Sequence, residues 1–414
     1  MKRSLFKSRW KYFLIFLAVA GPGIITSNVD NDAGGIATYS MAGAHFGYSL
    51  LWSLLPIMIA LVIIQEMSAR MGVVTGKGLS DLIREKFGVR ITFYLLLALV
   101  LTNFGNVIAE FAGVAASLEI FNIPKTLSVP TGAFIVWILV VKGTYRSVEK
   151  VFLFACLFYV TYIISGLLAN PDWSEVKNGF TSPGFEFSTG SISILIGLVG
   201  TTIAPWMQFY LQSAVVEKNI KVRDYRQSRL DVILGSFIVT LVAGFIILTC
   251  AATLFKAGIR VETAKDAALA LKPLAGKYTS YLFAFGLLNA SLFAASILPL
   301  STAFVVCEGM GWEDGVNKKF SEAPQFYGLY TLLIFLGAAV VILPGIPLFP
   351  VIYISQVVNG IVLPVILICI LVLINDKKLM GEYVNKGIYN FLSWVTVVIL
   401  VSLSIALLVF MVKG

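Results

Sequence analysis

Residues 21–35 read GPGIITSNVDNDAGG and place two carboxylates, Asp30 and Asp32, inside an apolar stretch of the chain. Apolar runs flank this segment on both sides, at 12–20 and 36–44. One continuous helix over both runs would be roughly 50 Å long, whereas the hydrocarbon core of a bilayer is roughly 30 Å thick. Because glycine and proline both weaken a helix, we predict a membrane helix that breaks within this segment.

Carboxylates at membrane depth indicate a function. A charged side chain at the centre of a membrane helix costs at least about 2.5–3.5 kcal/mol, so it persists mainly where a function needs it. In many secondary transporters, a helix that is broken at mid-membrane turns carbonyl and carboxylate oxygens toward one cation. The segment therefore predicts a cation transporter.

The composition places the whole chain in a membrane. The 414 residues are 58% hydrophobic and 13% charged, and the mean hydropathy is +0.90. These values are typical of a polytopic helical membrane protein, and long apolar runs without alternation argue against membrane strands. We predict eleven spans, at 12–44 (broken), 48–69, 91–120, 128–141, 151–169, 192–216, 231–255, 278–306, 325–344, 350–374 and 387–412.

The net charge of +9 is explained by membrane topology. With the N-terminus in the cytoplasm, the inner segments carry 23 of the 31 Lys and Arg residues and the outer segments carry eight. This bias follows the positive-inside rule, so we expect the lipid bilayer as a partner and no nucleic acid. We expect one integral domain in the cell membrane (plasma or inner membrane), a monomer without enzymatic activity or a cofactor. Glu66, near the inner end of the second span, is expected to face water.

The sixth predicted span carries a second interruption, GTTIAPWMQ at 200–208. Five spans separate the starts of the two breaks, an odd number, so the second five-span unit would insert with inverted orientation. We therefore predict inverted repeats over 12–169 and 192–374, followed by an additional span at 387–412. In such folds the site lies at the repeat interface, between the two broken helices.

Residues 21–52 (GPGIITSNVDNDAGGIATYSMAGAHFGYSLLW) resemble the first span of Nramp-type divalent metal transporters. The resemblance continues over nearly the whole chain. It implies an all-α LeuT-like fold with broken spans 1 and 6, in agreement with the repeat argument. Further matching segments follow in the family's order, at 71–77, 204–205, 210–213, 355–358, 363–364 and 379–385.

Departures from the family pattern indicate a particular branch. The family's Asp-Pro-Gly-Asn motif is DAGG at 32–35, and its Met-Pro-His motif is APW at 204–206. One acid that is usual in span 3 is replaced by Val107, while a second acid is kept as Glu110. The basic residues that are usual in span 9 are absent from 326–343. This pattern resembles the Nramp-related magnesium transporter branch.

The resemblance assigns candidate metal ligands residue by residue. Asp32 becomes the principal ligand, and the carbonyls of Val29 and Thr201 face the ion from the two breaks. Gln356 in span 10 matches a polar residue that the family uses near the ion. Asn359 lies one turn further on, on the same helix face.

The remaining candidates concern the size of the pocket and its water. Gly35 and Ala204 replace an amide and a thioether, which would enlarge the pocket for a partly hydrated ion. Oxygen ligands suit Mg²⁺ and Mn²⁺, and Mg²⁺ commonly keeps several waters. Asp30 would join the site in an unwound segment and point away from it in an extended one. Gln208 fits a hydrated-ion ligand and an interhelical hydrogen bond equally well.

We therefore expect a secondary transporter or uniporter that moves Mg²⁺, and also Mn²⁺, by alternating access without proton coupling. The alternatives are a proton-coupled symporter of Mn²⁺ or Fe²⁺ and a cation-coupled organic-solute symporter of the same fold. An intramembrane aspartyl protease needs two acids from separate helices, but Asp30 and Asp32 share one break. A channel fits matched broken helices less well than alternating access does.

Overall fold

The computed structural model describes residues 21–143, 159–181, 188–272 and 276–413, together with residues 150, 151, 154 and 184. The regular elements among these residues are all helical, which confirms the predicted all-α class. Two parts of the predicted spans lie outside the described residues. One is the apolar run at 12–20, and the other is the beginning of the fifth span, of which only residues 151 and 154 are described before residue 159.

Sixteen helices are considered below, and short 3₁₀ or π turns join some of them. In chain order they are α1 (Pro22–Asn28), α2 (Ala33–Phe46), α3 (Leu51–Thr75), α4 (Leu79–Glu119), α5 (Lys125–Val141), α6 (Val160–Leu168), α7 (Trp173–Thr181), α8 (Thr189–Thr202), α9 (Pro205–Glu217), α10 (Tyr225–Cys250), α11 (Ala264–Ala268), α12 (Thr279–Met310), α13 (Pro324–Ile342), α14 (Leu348–Ile374), α15 (Lys377–Met380) and α16 (Gly387–Lys413).

Eight helical segments of the described chain are long and apolar enough to cross a membrane. They correspond to the predicted spans 2, 3, 6, 7, 8, 9, 10 and 11. The fourth predicted span is the shorter apolar helix α5, and the first is divided between α1 and α2. The chain is thus an integral membrane protein with a broken first span.

Several helices extend beyond the predicted spans, and for α3 and α4 a local reason is visible. Helix α3 continues past residue 69 until Gly76, whose φ of 65° ends it in the left-handed conformation. Arg70, which lies just after the predicted second span, is therefore part of the same helix. Helix α4 begins with a short segment that meets the span at Gly88, where φ is 80° and ψ is 166°.

The two broken helices lie in the interior of the bundle. In the most apolar 18 residues of the Thr189–Glu217 span, 94% of the residues are buried, against 22% for the span of α16. Helix α16 therefore packs at the periphery. The boundaries of the inverted repeats remain a prediction.

Candidate functional site

The first break is a single turn of chain between two short helices. After α1 ends at Asn28, residues Val29–Asn31 form a 3₁₀ turn, and Asp32 adopts an extended conformation with φ −66° and ψ −172°. Asp32 is the N-cap of α2, and its Oδ1 accepts a hydrogen bond of 2.6 Å from the amide of Gly35. The Asp32 carboxylate is thereby fixed at the N-terminal end of a half-helix in the interior of the bundle.

A second carboxylate reaches this break from span 3. Oε2 of Glu110, on α4, accepts a hydrogen bond of 3.3 Å from the amide of Ala33, the first residue of α2. Glu110 is fully buried, and its Oε1 has no partner among the described residues. One turn further along α4, a Cβ on Gly113 would lie 2.6 Å from the Cβ of Ala33. The glycine therefore lets α4 approach closely enough for Glu110 to bind the break.

The second break separates α8 from α9 at residues Ile203 and Ala204, which lie outside helical conformation. The residue four positions after Thr201 is Pro205, which has no N–H. The Thr201 carbonyl therefore has no α-helical donor and is available to a ligand.

Direct contacts hold the two breaks together. The Thr201 hydroxyl donates a hydrogen bond of 3.4 Å to the backbone carbonyl of Asp30. One helical turn away, the hydroxyls of Tyr39 and Thr202 share a hydrogen bond of 2.8 Å. The predicted meeting of the two broken helices is therefore present in the structure.

Gly35 lies at the closest approach within the first break. A Cβ at this position would lie 1.9 Å from the carbonyl oxygen of Asp30 and 3.3 Å from the hydroxyl of Thr201. The space that an asparagine would need at this position is therefore taken by the backbone of the preceding turn. In this structure Gly35 permits the turn to close. The enlarged pocket that the sequence suggested stays a prediction.

Asp30 and Asn31 carry buried polar atoms that the described protein does not satisfy. Asp30 is 1% exposed and Asn31 is 0% exposed. Neither the carboxylate of Asp30 nor the side-chain amide of Asn31 has a hydrogen-bond partner among the described residues. Leaving a buried polar group without a partner costs about 1–3 kcal/mol, and more for a charged group. Both groups lie in the turn between α1 and Asp32, where an ion with its waters would satisfy them.

The backbone carbonyl of Val29 is partly engaged. It accepts a hydrogen bond of 2.9 Å from the amide of Asp32, which closes the 3₁₀ turn. A carbonyl oxygen has two lone pairs, so one remains for a ligand.

The predicted residues of α14 form an amide network. Oε1 of Gln356 accepts a hydrogen bond of 3.0 Å from Asn359. The amide of Asn359 also exchanges two hydrogen bonds, of 2.9 and 3.1 Å, with Asn106 on α4. Gln356 packs against the break, because a Cβ on Gly34 would lie 1.9 Å from its Nε2. Asn106 was not among the sequence candidates, since nothing along the chain links it to a residue 253 positions away.

The start of α9 contains a thioether that the sequence analysis missed. Sδ of Met207 accepts a hydrogen bond of 3.2 Å from the amide of Ala204, and Met207 is fully buried. The side-chain amide of Gln208 donates a bond of 3.2 Å to the Ala204 carbonyl, and its Oε1 has no partner among the described residues. Met207 lies three residues after Ala204, the position at which the family motif has its methionine, and is therefore outside that motif.

Most of the predicted ligands are therefore gathered around the two breaks. Within the described part of the chain, no group of three or more His, Cys, Asp or Glu side chains has the geometry to hold a metal. An ion bound here would depend on backbone carbonyls, amides and water in addition to carboxylates.

Comparisons with known proteins agree with this architecture. A family model described as natural resistance-associated macrophage protein-like (Nramp) matches residues 23–410. The chain is 30% identical over 402 residues to the divalent metal cation transporter MntH of Deinococcus radiodurans, covering 94% of this chain and 88% of that protein. It is 28% identical over 406 residues to MntH of Bacillus subtilis, covering 95% of this chain and 92% of that one.

Solved structures share the fold. A manganese transporter of Eremococcus coleocola superposes with a TM-score of 0.76 at 23% identity, covering 95% of this chain and 86% of that one. Mhp1, a nucleobase-cation-symport-1 family transporter in a closed conformation, superposes with a TM-score of 0.58 at 16% identity, covering 94% and 91%. These likenesses support the predicted LeuT-like fold.

Proposed function

Because this chain belongs to the Nramp family, we propose that it moves divalent cations, Mg²⁺ and also Mn²⁺, across the membrane by alternating access. One observation carries the proposal: the buried carboxylate of Asp30 and the amide of Asn31 have no hydrogen-bond partner among the described residues, at the point where the two breaks meet. The names of its relatives, divalent metal cation transporters, support the same class of substrate.

The donor set favours a hard cation. In this proposal Asp32 is the anionic ligand, the carbonyls of Val29 and Thr201 contribute from the two breaks, and Asp30 binds directly or through water. Carboxylate, carbonyl and water oxygens suit Mg²⁺ and Mn²⁺, whereas thioethers favour softer metals. The thioether of Met207 is engaged by the Ala204 amide, so it is not counted as a ligand.

We further propose that transport is not coupled to protons. Trp206 stands where the family has a histidine, and its buried side chain is 2% exposed. Val107 stands where the family has an acid and packs against α13, since a Cβ on Gly337 would lie 2.7 Å from it. A proton route needs a chain of titratable groups or water, and these positions are apolar.

The membrane potential is then sufficient as a driving force. It supplies about 2.3 kcal/mol per elementary charge per 100 mV, and a divalent ion gains about twice that. We place the protein in the cell membrane as a monomer, with its N-terminus in the cytoplasm, as the positive-inside count predicts.

One feature favours a second candidate, a proton-coupled transporter of Mn²⁺ or Fe²⁺. Glu110 touches the break through one oxygen and leaves the other without a described partner, which is a suitable position for a proton carrier.

One experiment separates the two candidates. Proteoliposomes containing the full chain take up Mg²⁺, Mn²⁺ or Ca²⁺ in competition at clamped voltage, while an internal dye reports the lumenal pH. We expect Mg²⁺ and Mn²⁺ uptake with no acidification. Acidification in proportion to metal influx would replace the uncoupled mechanism, and absence of divalent uptake by folded protein would overturn the proposed function.

A further inference from the structure

A cavity of about 370 Å³, with no residue of the two breaks in its lining, lies at the inner ends of α3 and α10. The segment between α15 and α16 closes its third side. Its walls include the charged side chains of Glu66, Arg70, Arg229, Glu382 and Lys386. This end of the bundle is the one that the charge distribution places in the cytoplasm.

Glu66 and Arg70 neutralise each other at the wall of the cavity. Nη2 of Arg70 lies 3.0 Å from Glu66 Oε2, and the hydroxyl of Tyr225 donates to the other carboxylate oxygen. Glu66 is 3% exposed, so the expectation that it faces water is wrong. Its charge can be buried because Arg70, one helical turn away, pairs with it. Nη1 of Arg70 also donates to the Tyr383 carbonyl at 2.9 Å, and its Nε is buried with no partner among the described residues.

The remaining charges at the cavity are mainly positive. Arg229 on α10 donates a hydrogen bond of 2.6 Å to the hydroxyl of Tyr389 on α16. Lys386 is exposed, and its ammonium group makes no hydrogen bond or ion pair with the described residues. Glu382 is the one acid of this wall that has no cation bound to it in the described chain. The cavity therefore presents two cations and a tyrosine hydroxyl against a single carboxylate, an arrangement that suits an anion.

The surfaces beside the cavity are apolar and face outward from the bundle. On α10, Leu230 and Leu234 are 45% and 42% exposed; on α16, Ile388 and Phe391 are each 67% exposed. Exposed apolar faces of this kind on a membrane protein lie against lipid chains. The anion in the cavity would thus be joined to acyl chains that run along α10 and α16, which favours a lipid over a soluble anion.

We propose that this cavity binds the phosphate headgroup of an anionic phospholipid of the inner leaflet. Arg229, Lys386 and the hydroxyl of Tyr389 contact the phosphate oxygens. Basic pockets between membrane helices on the cytoplasmic side are suited to such headgroups. The site is separate from the proposed cation site and does not depend on it.

The test compares two lipids on the full-length protein in detergent, with native mass spectrometry as the measure of bound lipid. Palmitoyl-oleoyl phosphatidylglycerol is the anionic probe, and the matching phosphatidylcholine is the zwitterionic one. The test variant is Arg229→Gln with Lys386→Gln. The matched control is Arg226→Gln with Lys378→Gln, which removes two exposed charges that do not line the cavity.

We expect the wild type and the control to retain phosphatidylglycerol about tenfold better than phosphatidylcholine, and the test variant to lose this preference. Thermal unfolding in phosphatidylcholine reports whether the test variant is folded. An equal preference in both variants, or no preference in the wild type, would overturn the site. Displacement of the lipid by inorganic phosphate at equal concentration would show a free-phosphate site and overturn the assignment to lipid.

Discussion

Gly35 faces the carbonyl oxygen of Asp30 so closely that a Cβ on Gly35 would lie 1.9 Å from that oxygen. Real Cβ atoms do not approach an oxygen to this distance, so any side chain at residue 35 displaces the turn that carries Asp30. The geometry of the proposed ion site thus depends on a missing side chain. A glycine can be essential here without touching the ion.

Gly35→Ala should therefore lower both stability and Mn²⁺ uptake, although alanine is the better helix former. The matched control is Gly105→Ala on α4, where a Cβ would meet nothing within 4 Å. In that helix we expect alanine to raise stability by about 0.5–1 kcal/mol. Thermal unfolding and uptake are measured for both variants. Full uptake by Gly35→Ala would show that the turn relaxes at no cost and that the close contact does not hold the site.

Asp32→Asn should reduce divalent uptake by more than about tenfold, since changes even in the outer shell of a metal site cost 10–100-fold. Asparagine is as good an N-cap as aspartate, so the start of α2 is kept and only the charge is lost. Asp30→Asn should reduce uptake less. Uptake of Mn²⁺ into proteoliposomes with equal amounts of folded protein measures both. Equal losses would show that the two carboxylates act together on the ion.

The sequence predicted the elements of this site better than their contacts. Glycine, proline and membrane depth predicted a break within 21–35, and the structure has it at residues 29–32. The hydrogen bonds between Asn106 and Asn359 were not predictable, because these two residues lie 253 positions apart in the sequence. The burial of Glu66 did have a local signal, an arginine four residues later, which marks an ion pair on one helix face.

Ligand softness at the second break can be tested by moving the thioether. Ala204→Met should lower Mg²⁺ uptake more than Mn²⁺ uptake, because it adds a soft donor within the second break and takes up buried space there. Met207→Leu is the control of similar volume and removes a thioether that the Ala204 amide already engages. We expect the control to leave the Mg²⁺/Mn²⁺ ratio within about twofold of the wild type. Competitive uptake of the two ions gives the Mg²⁺/Mn²⁺ ratio. A large change of this ratio in Met207→Leu would show that Met207 is a ligand.

Two substitutions of Glu110 separate a structural role from proton transfer. Glutamine keeps a carbonyl oxygen that can accept the hydrogen bond from Ala33, whereas alanine leaves that buried amide without a partner, at about 1–3 kcal/mol. If Glu110 only fixes the start of α2, Glu110→Gln should transport Mn²⁺ nearly as the wild type does, and Glu110→Ala should be less stable and slower. Thermal unfolding measures the stability of each variant. Uptake of Mn²⁺ is measured at clamped voltage, with the lumenal pH set to about 6 and to about 8 on either side of neutrality. If Glu110 carries a proton, Glu110→Gln should instead lose transport, because glutamine cannot carry the proton. This variant would also lose the pH dependence of uptake while remaining as stable as the wild type.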